Sequence, residues 1–383
     1  VAKADVATKD ATGSFPGSFK IPGTNTSMKF GGYVKADFIH DFKQNVGDFP
    51  AGWRFSVDPQ DLAQTGNSRF HARSSRLNFE TQTPTSAGVV RTFVETDAFG
   101  DAGDTDQTTM NGTFWRIRQA YGVLGNWMAG QATTNFAEFS AFPEVLDFNG
   151  PSGQTNLRQT QLRYTAPVGK SATLLLSAEN PNADLVGASS TNKMPDLTAK
   201  VLYKGDWGSA SVEGVARRFN NDTGAGVNGW GIGTSGSIKT VGKDRLQYNA
   251  IYGNGIGRYL QQAIFMSGGK DPSTGNLVSF KSYGGYVAYQ HWWDEQFRST
   301  VVAGYSRMKN IAADLGGFAT SNAEGGPSNV LKSLHTNIIW SPTPKVNLGL
   351  EYMWGYRARP VPSDNGGLTG TFSRFQASAQ YSF

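Results

Sequence analysis

The sequence predicts an all-β chain: a transmembrane β-barrel of about sixteen antiparallel strands, with short periplasmic turns, long extracellular loops and an inward-folded third loop. Three observations carry this reading. The chain ends on strict alternation, with Phe375, Ala377, Ala379, Tyr381 and Phe383 on one face and Arg374, Gln376, Ser378, Gln380 and Ser382 on the other. A period of two with one oily and one wet side is a strand, and here the oily side runs to a final aromatic ring. Segments of the same kind recur along the whole chain, and their connections alternate between long and short.

Composition narrows the class. Hydrophobic residues make up 38% and mean hydropathy is −0.40, with no run near the roughly 18 apolar residues a spanning helix needs. A barrel escapes that requirement, because only every second residue meets lipid. Aromatics at 12% and 47 glycines suit girdles and tight turns, and the lack of Cys suits passage through an oxidising periplasm. A net charge of +5 without a basic run argues against nucleic acid as a partner. The opening Val1, with no apolar signal core behind it, reads as a processed or truncated export product.

The first strand runs from Met28 to Asp41: Met28, Phe30, Val34, Ala36 and Phe38 share one face, and Lys29, Tyr33, Lys35, Asp37 and Asp41 the other. Further strands are read at about 69–82, 87–98, 113–124, 126–131, 156–166, 170–180 and 195–204. The second half adds about 207–219, 228–240, 243–257, 279–292, 295–308, 329–341, 344–358 and 369–383. Long connections, rich in Gly, Asp, Asn, Ser and Pro, fall near 42–68, 99–112, 132–155, 181–194, 220–227, 258–278, 309–328 and 359–368. Short ones include Pro84–Ser86, Leu124–Asn126, Pro167–Gly169, Gly205–Asp206, Val241–Gly242 and Ser341–Thr343. A soluble sandwich or propeller has no reason to keep one end tight, whereas an outer-membrane barrel does. No fixed-length repeat points to a propeller or solenoid. Residues 27–383 are read as the barrel and 1–26 as an N-terminal periplasmic segment, any upstream extension being absent or removed.

Parity sorts the charges. Arg76 shares a face with Asn78 and Glu80, and Arg91 with Glu95 and Asp97. Arg116, Arg118 and Ala120 oppose Ile117, Tyr121 and Val123, and Arg163 opposes Leu162 and Tyr164. Arg76, Arg91, Arg116, Arg118 and Arg163 should therefore gather on one wall of the lumen. A guanidinium fork binds a carboxylate bidentately, so such a wall suits anions. The plain alternative for each arginine is solvation, or neutralisation by Asp37, Glu80, Glu95 or Asp97. Like charges from four strands favour a cluster that acts through its field. Arg73 has lipid-facing parity, which places it above the membrane or shifts the register there. The polar face of the last strand, with Arg374, Gln376 and Gln380, should look into the water path.

The third long connection, Ala132 to Thr155, carries Phe136, Phe139 and Phe142 beside Glu138, Glu144 and Asp147. It is expected to enter the lumen, with its carboxylates facing the arginines across a transverse field; the alternative is a loop packed on the rim. Other motifs are weaker. Gly253-Asn254-Gly255-Ile256-Gly257 resembles a dinucleotide loop but reads as a strand end. Asp97, Asp101, Asp104 and Asp106 lack the spacing of a helix–loop–helix calcium site. His40, His71, His291 and His335 show no metal spacing, and Ser333 with His335 makes no nucleophile elbow. No cofactor, metal or catalytic set is expected.

Several stretches carry a family resemblance: FGGYVKADFIHDF from Phe30, RSSRLNFET from Arg73, WRIRQAYGVLGNWMAGQATTNF from Trp115, LRQTQLRYTAP from Leu157, YGNGIGRY from Tyr252 and NLGLEYMWGYR from Asn347. They resemble Gram-negative general and substrate-specific porins. The opening SFKIPGTNTSMKFGGYVKADFIHDF is similar, more narrowly, to the DcaP-like dicarboxylate porins. The resemblance implies a homotrimer of sixteen-stranded barrels in the outer membrane, touching lipid and lipopolysaccharide. It also implies diffusion of small dicarboxylates, aromatic diacids included, and of anionic drugs that mimic them. Members carry a helical extension before the barrel, for which residues 1–26 show no heptads.

The expected function is a passive channel for small anions such as succinate or phthalate, with weak contacts that allow release. The alternative is a general or weakly cation-selective porin dominated by the acidic loop. An outer-membrane barrel enzyme or a structural barrel is a more distant reading.

Overall fold

In a computed structural model of the chain, residues 12–50, 56–63, 65–100, 112–183, 185–186, 188–221, 224, 226–260, 267–271, 274–309, 328–359, 362 and 366–383 are described. The barrel strands are β1 (Ser27–Lys43), β2 (Thr65–His71 and Arg76–Thr85), β3 (Gly88–Gly100), β4 (Phe114–Leu124), β5 (Trp127–Thr133), β6 (Arg158–Val168), β7 (Ala172–Glu179) and β8 (Asp196–Gly205). They continue as β9 (Gly208–Asn221), β10 (Gly226–Lys239), β11 (Arg245–Asn254), β12 (Lys281–Trp292), β13 (Phe297–Lys309), β14 (Val330–Thr343), β15 (Val346–Ala358) and β16 (Thr369–Ser382). Each pairs antiparallel with its successor, and β16 pairs with β1 from Tyr33–Ser382 to Asp41–Arg374. That seam closes the cylinder, so every strand has two partners and no edge is left in the hydrocarbon.

The alternation read in the sequence is the alternation of exposure. In β14, Leu334, Ile338 and Trp340 are exposed while Ser333, His335 and Asn337 are buried. Phe30, Leu77, Ile117, Leu162, Val212, Ile232, Val287 and Leu350 are likewise exposed around the circumference. An apolar belt of that extent has lipid as its solvent. Among the described residues no helix is long and apolar enough to cross a membrane, so strands do the crossing. Regular helix among them is limited to the turn Pro59–Leu62 and two 3-10 turns. Of the N-terminal segment, Phe19–Lys20 pairs with the start of β1.

Two local departures from ideal strands change the sequence reading. The expected second strand is interrupted at residues 72–75: Arg76–Thr85 pairs with the lower half of β1 and Thr65–His71 with its upper half. Arg73 lies in that break and donates to Asp48 at 2.6 Å, so it faces neither lipid nor the ladder. The second departure is a bulge in β4. Glu95 stands opposite Gln119 while Thr96 stands opposite Ile117, so Arg118 is the extra residue. Arg116 and Arg118 both point inward, as expected. Below the bulge the parity flips: Tyr121 and Val123 line the lumen beside Gln119, and Ala120, opposite Val94, turns outward.

Candidate functional site: the constriction

Loop L3, residues 134–157, leaves β5 and runs inside the barrel, as expected. Its polar contacts with described residues follow the wall from β7 round to β1. Glu179 on β7 accepts from Thr134 Oγ1 and the Asn135 amide, both at 2.7 Å. Tyr286 on β12 donates to Ala141 O at 2.8 Å, and Gln247 on β11 to Phe142 O at 2.7 Å. Glu351 on β15 accepts the Leu146 amide at 2.7 Å, and Lys35 on β1 donates to Leu146 O at 2.6 Å. Ser152 and Gly153 press on a seat of small residues. A Cβ added at Gly304 would stand 2.3 Å from Ser152 O, and one at Gly153, whose φ is +83°, 2.3 Å from Tyr305 O. Only glycine permits backbones that close.

Two of the three acidic residues of L3, Glu138 and Glu144, do not face the arginines, contrary to the sequence reading, whereas Asp147 lines one cavity with Arg76 and Arg118. Glu138 pairs with Lys200 on β8 at 3.0 Å and caps Ser140. Burial alone would raise its carboxyl, but Lys200 and Ser140 outweigh burial and hold it below the usual range. Glu144 receives both arms of Arg298 on β13 at 2.6 Å, and Gln290 at 2.7 Å. These carboxylates fasten the loop to the far wall and are neutralised there, because a half-buried charge is kept where a partner stands. Asp147 is buried and accepts from the Asn149 and Gly150 amides at 2.9 Å. Burial pushes its carboxyl up to about 6; His335 opposes this and Glu351 adds to it.

Opposite L3 stand β2 to β4. Arg118 donates to Glu95 at 2.9 Å and to Asp97, and Arg116 bonds the two oxygens of Asp97 at 2.7 and 3.3 Å. Arg76 lies 3.7 Å from Glu95 and over the Tyr33 ring at 5.3 Å. The ring of Phe148 at the turn of L3 reaches across to the Arg116 and Arg118 guanidiniums, at 5.4 and 5.5 Å. Between loop and wall lies a cavity of about 330 Å³, lined by Tyr33, Lys35, Arg76, Arg118, Phe142 and Phe148.

Three of the five sequence-predicted arginines, Arg76, Arg116 and Arg118, therefore come together, and two do not. Arg91 sits near the turn end of β3, bound to Glu80 at 2.7 and 2.9 Å. Arg163 lines a second cavity of about 650 Å³ on the same side, with Tyr121 and Phe139, and donates to Gln161 and Thr133 O. Arg374 points inward but is buried beneath the first loop, bonded to Asp41 at 2.7 and 3.0 Å, and Gln376 holds Asp37 and Leu146 O. They are the lining of the seam and not of the water path. Sequence reading missed Arg158 at the start of β6, close enough to feel the charges of Arg118, Arg116 and Arg76. Its parity matches Leu162 and Tyr164, which hides it. Four guanidiniums against Glu95 and Asp97 leave this wall with two positive charges in excess.

The other motifs fall to structural roles. Ser333 accepts the Ser152 amide and His335 bonds Glu351 at 3.2 Å, both beneath L3. Asp97 is occupied by arginines, while Asp101, Asp104 and Asp106 lie outside the described residues.

The closed-barrel fold is shared with solved porins. The outer membrane channel DcaP of Acinetobacter baumannii superposes with a TM-score of 0.82 at 24% identity, covering 95% of this chain and 99% of that one. An anion-selective porin from Comamonas acidovorans gives 0.58 at 12% identity, over 94% of this chain and all of that one (100%). Porin Omp2b of Brucella canis is 26% identical over 212 residues, 52% of this chain and 53% of its own; the chain thus matches about half the length of that relative. The family described as DcaP outer membrane protein matches residues 13–383. A lipid-belted, sixteen-stranded porin of the Gram-negative outer membrane, this chain belongs to the DcaP outer membrane protein family.

Proposed function

We propose that the channel favours small anions, dicarboxylates such as succinate or phthalate above all. One observation carries this. The mobile solute meets a wall of Arg76, Arg116, Arg118 and Arg158 with excess positive charge, while Glu138 and Glu144 on L3 are spent on Lys200 and Arg298. With Glu138 and Glu144 paired, Asp147 is the one L3 carboxylate named above that is left without a cation, too little among the described residues to make the acidic counter-wall a cation-selective pore requires. Guanidiniums already holding Glu95 and Asp97 bind a passing carboxylate weakly, and weak contacts allow release. Phe142 and Phe148 beside them give an aromatic diacid a ring contact. The name of the Comamonas porin, anion-selective, supports the same reading.

The test is a planar bilayer with a salt gradient. The expected reversal potential reports anion preference, and added succinate or phthalate reduces the chloride current. A reversal potential of cation sign with no diacid effect would replace this reading with a general or weakly cation-selective pore. We also propose a homotrimer. The outer groove formed by Ala36, Phe38, Phe70, Leu350, Ala377 and Ala379 is apolar, which suits a subunit contact. Cross-linking in membranes would test it.

A further inference from the structure

We infer that the outer face of the barrel, at its long-loop rim, carries a binding site for the phosphate groups of outer-leaflet lipopolysaccharide. Four cations stand there. Lys281 opens β12, Arg307 and Lys309 end β13, and Lys332 lies near the start of β14. Strand alternation turns all four outward: Lys281 shares its face with exposed Val287, Arg307 and Lys309 with exposed Val301, and Lys332 with exposed Leu334 and Ile338.

Pairing makes them one patch. Lys281 stands directly opposite Lys309. Arg307 opposes Val330 and Lys332 opposes Tyr305, which sets Arg307 and Lys332 on one diagonal of the β13–β14 ladder. Tyrosines underlie the ammonium groups: Lys281 Nζ is 6.0 Å from the Tyr252 ring centre, Lys309 Nζ 5.8 Å from Tyr283, and Lys332 Nζ 5.2 Å from Tyr356. No described carboxylate lies within ion-pair distance of any of the four.

Like charges directly opposite on paired strands repel, and a cation on a lipid-facing surface is costly except near the headgroups. Tyrosines mark that depth. The patch therefore has its place at the headgroup level of the outer leaflet, and its counter-ion must come from there. Three adjacent strands spread the charges over roughly 10 Å. That breadth suits a lipid carrying more than one phosphate better than a single phosphodiester. The site is independent of the solute preference of the lumen.

The experiment uses the full folded chain in detergent and native mass spectrometry. The probes are lipopolysaccharide, the same lipopolysaccharide after chemical dephosphorylation, and phosphatidylglycerol. The wild type is expected to retain phosphorylated lipopolysaccharide selectively. The fourfold variant Lys281→Gln, Arg307→Gln, Lys309→Gln, Lys332→Gln should bind it about tenfold or more weakly, as loss of charge-assisted contacts predicts. A charge-keeping variant (Lys281→Arg, Arg307→Lys, Lys309→Arg, Lys332→Arg) should retain it, and both should keep wild-type conductance and heat stability in lipid-free detergent. Equal binding by the glutamine variant, equal binding of the dephosphorylated lipid, or equal binding of phosphatidylglycerol would each overturn the assignment.

Discussion

Replacing Arg118 by Gln tests the arginine wall at its most connected member. Arg118 donates to Glu95 at 2.9 Å and to Asp97; without it Asp97 keeps Arg116, and Glu95 keeps Arg76 at 3.7 Å. The excess charge of the wall falls from two to one. A monovalent anion passing about 6 Å away would lose ~0.7 kcal/mol of attraction at the dielectric of water and ~2.8 kcal/mol at an effective value of 20. The wall is wetted by the channel and screened over about 10 Å at 0.1 M salt, so the lower part of that range applies. About 1 kcal/mol corresponds to roughly fivefold in anion-to-cation permeability. A dicarboxylate should lose somewhat more. The assay is reversal potential in a potassium chloride gradient, with succinate block as the second readout, on protein whose heat-modifiable gel band shows an intact barrel. Arg91→Gln is the control, since Arg91 sits below the constriction with Glu80. An unchanged ratio in Arg118→Gln, or a larger change in the control, would show that the wall does not govern selectivity.

The remaining predictions concern the loop. Glu144→Gln removes the charge that holds both arms of Arg298 and should lower barrel stability by about 1–3 kcal/mol, read from thermal unfolding, with noisier open-channel current. Asp147 has its carboxyl raised to about 6, so it is anionic above that pH and neutral below. Lowering the pH through 6 therefore removes one negative charge beside the cavity and should strengthen anion preference, an effect absent in Asp147→Asn; a pH series of reversal potentials decides it. Gly153→Ala introduces a Cβ at a positive φ 2.3 Å from Tyr305 O and should lift the loop from its seat, giving a larger single-channel conductance.

Most of the barrel was legible because its two periodicities are local. A strand two residues deep in parity needs no knowledge of its partner, and tight turns differ from long loops in composition as well as length. What escaped was whatever depends on an insertion or on tertiary contact. The bulge at Arg118 flipped Tyr121 and Val123, since one extra residue inverts all parity beyond it. Above the bulge the arginines kept their side, so the wall was found while its lower neighbours were misread. The interruption at residues 72–75 hid in a segment whose polarity alone resembles a strand. The acidic residues of L3 were identified, but the direction of Glu138 and Glu144 was not: Lys200 and Arg298, which capture them, lie 62 and 154 residues away in sequence. Arg158 could be read only once its neighbours were placed.

The division of the lumen into a wall that holds L3 and a wall that meets the solute has an evolutionary consequence. The contacts that fix the aperture run from β7 to β1, and those that set its charge lie on β2 to β4 and the head of β6. Substitutions in the second group leave those anchors in place and change only the ring contact of Phe148 with Arg116 and Arg118. On the proposed reading of the arginine wall, a lineage could shift its solute preference by a few replacements at Arg76, Arg116 or Arg118 without first surviving a collapse of the pore.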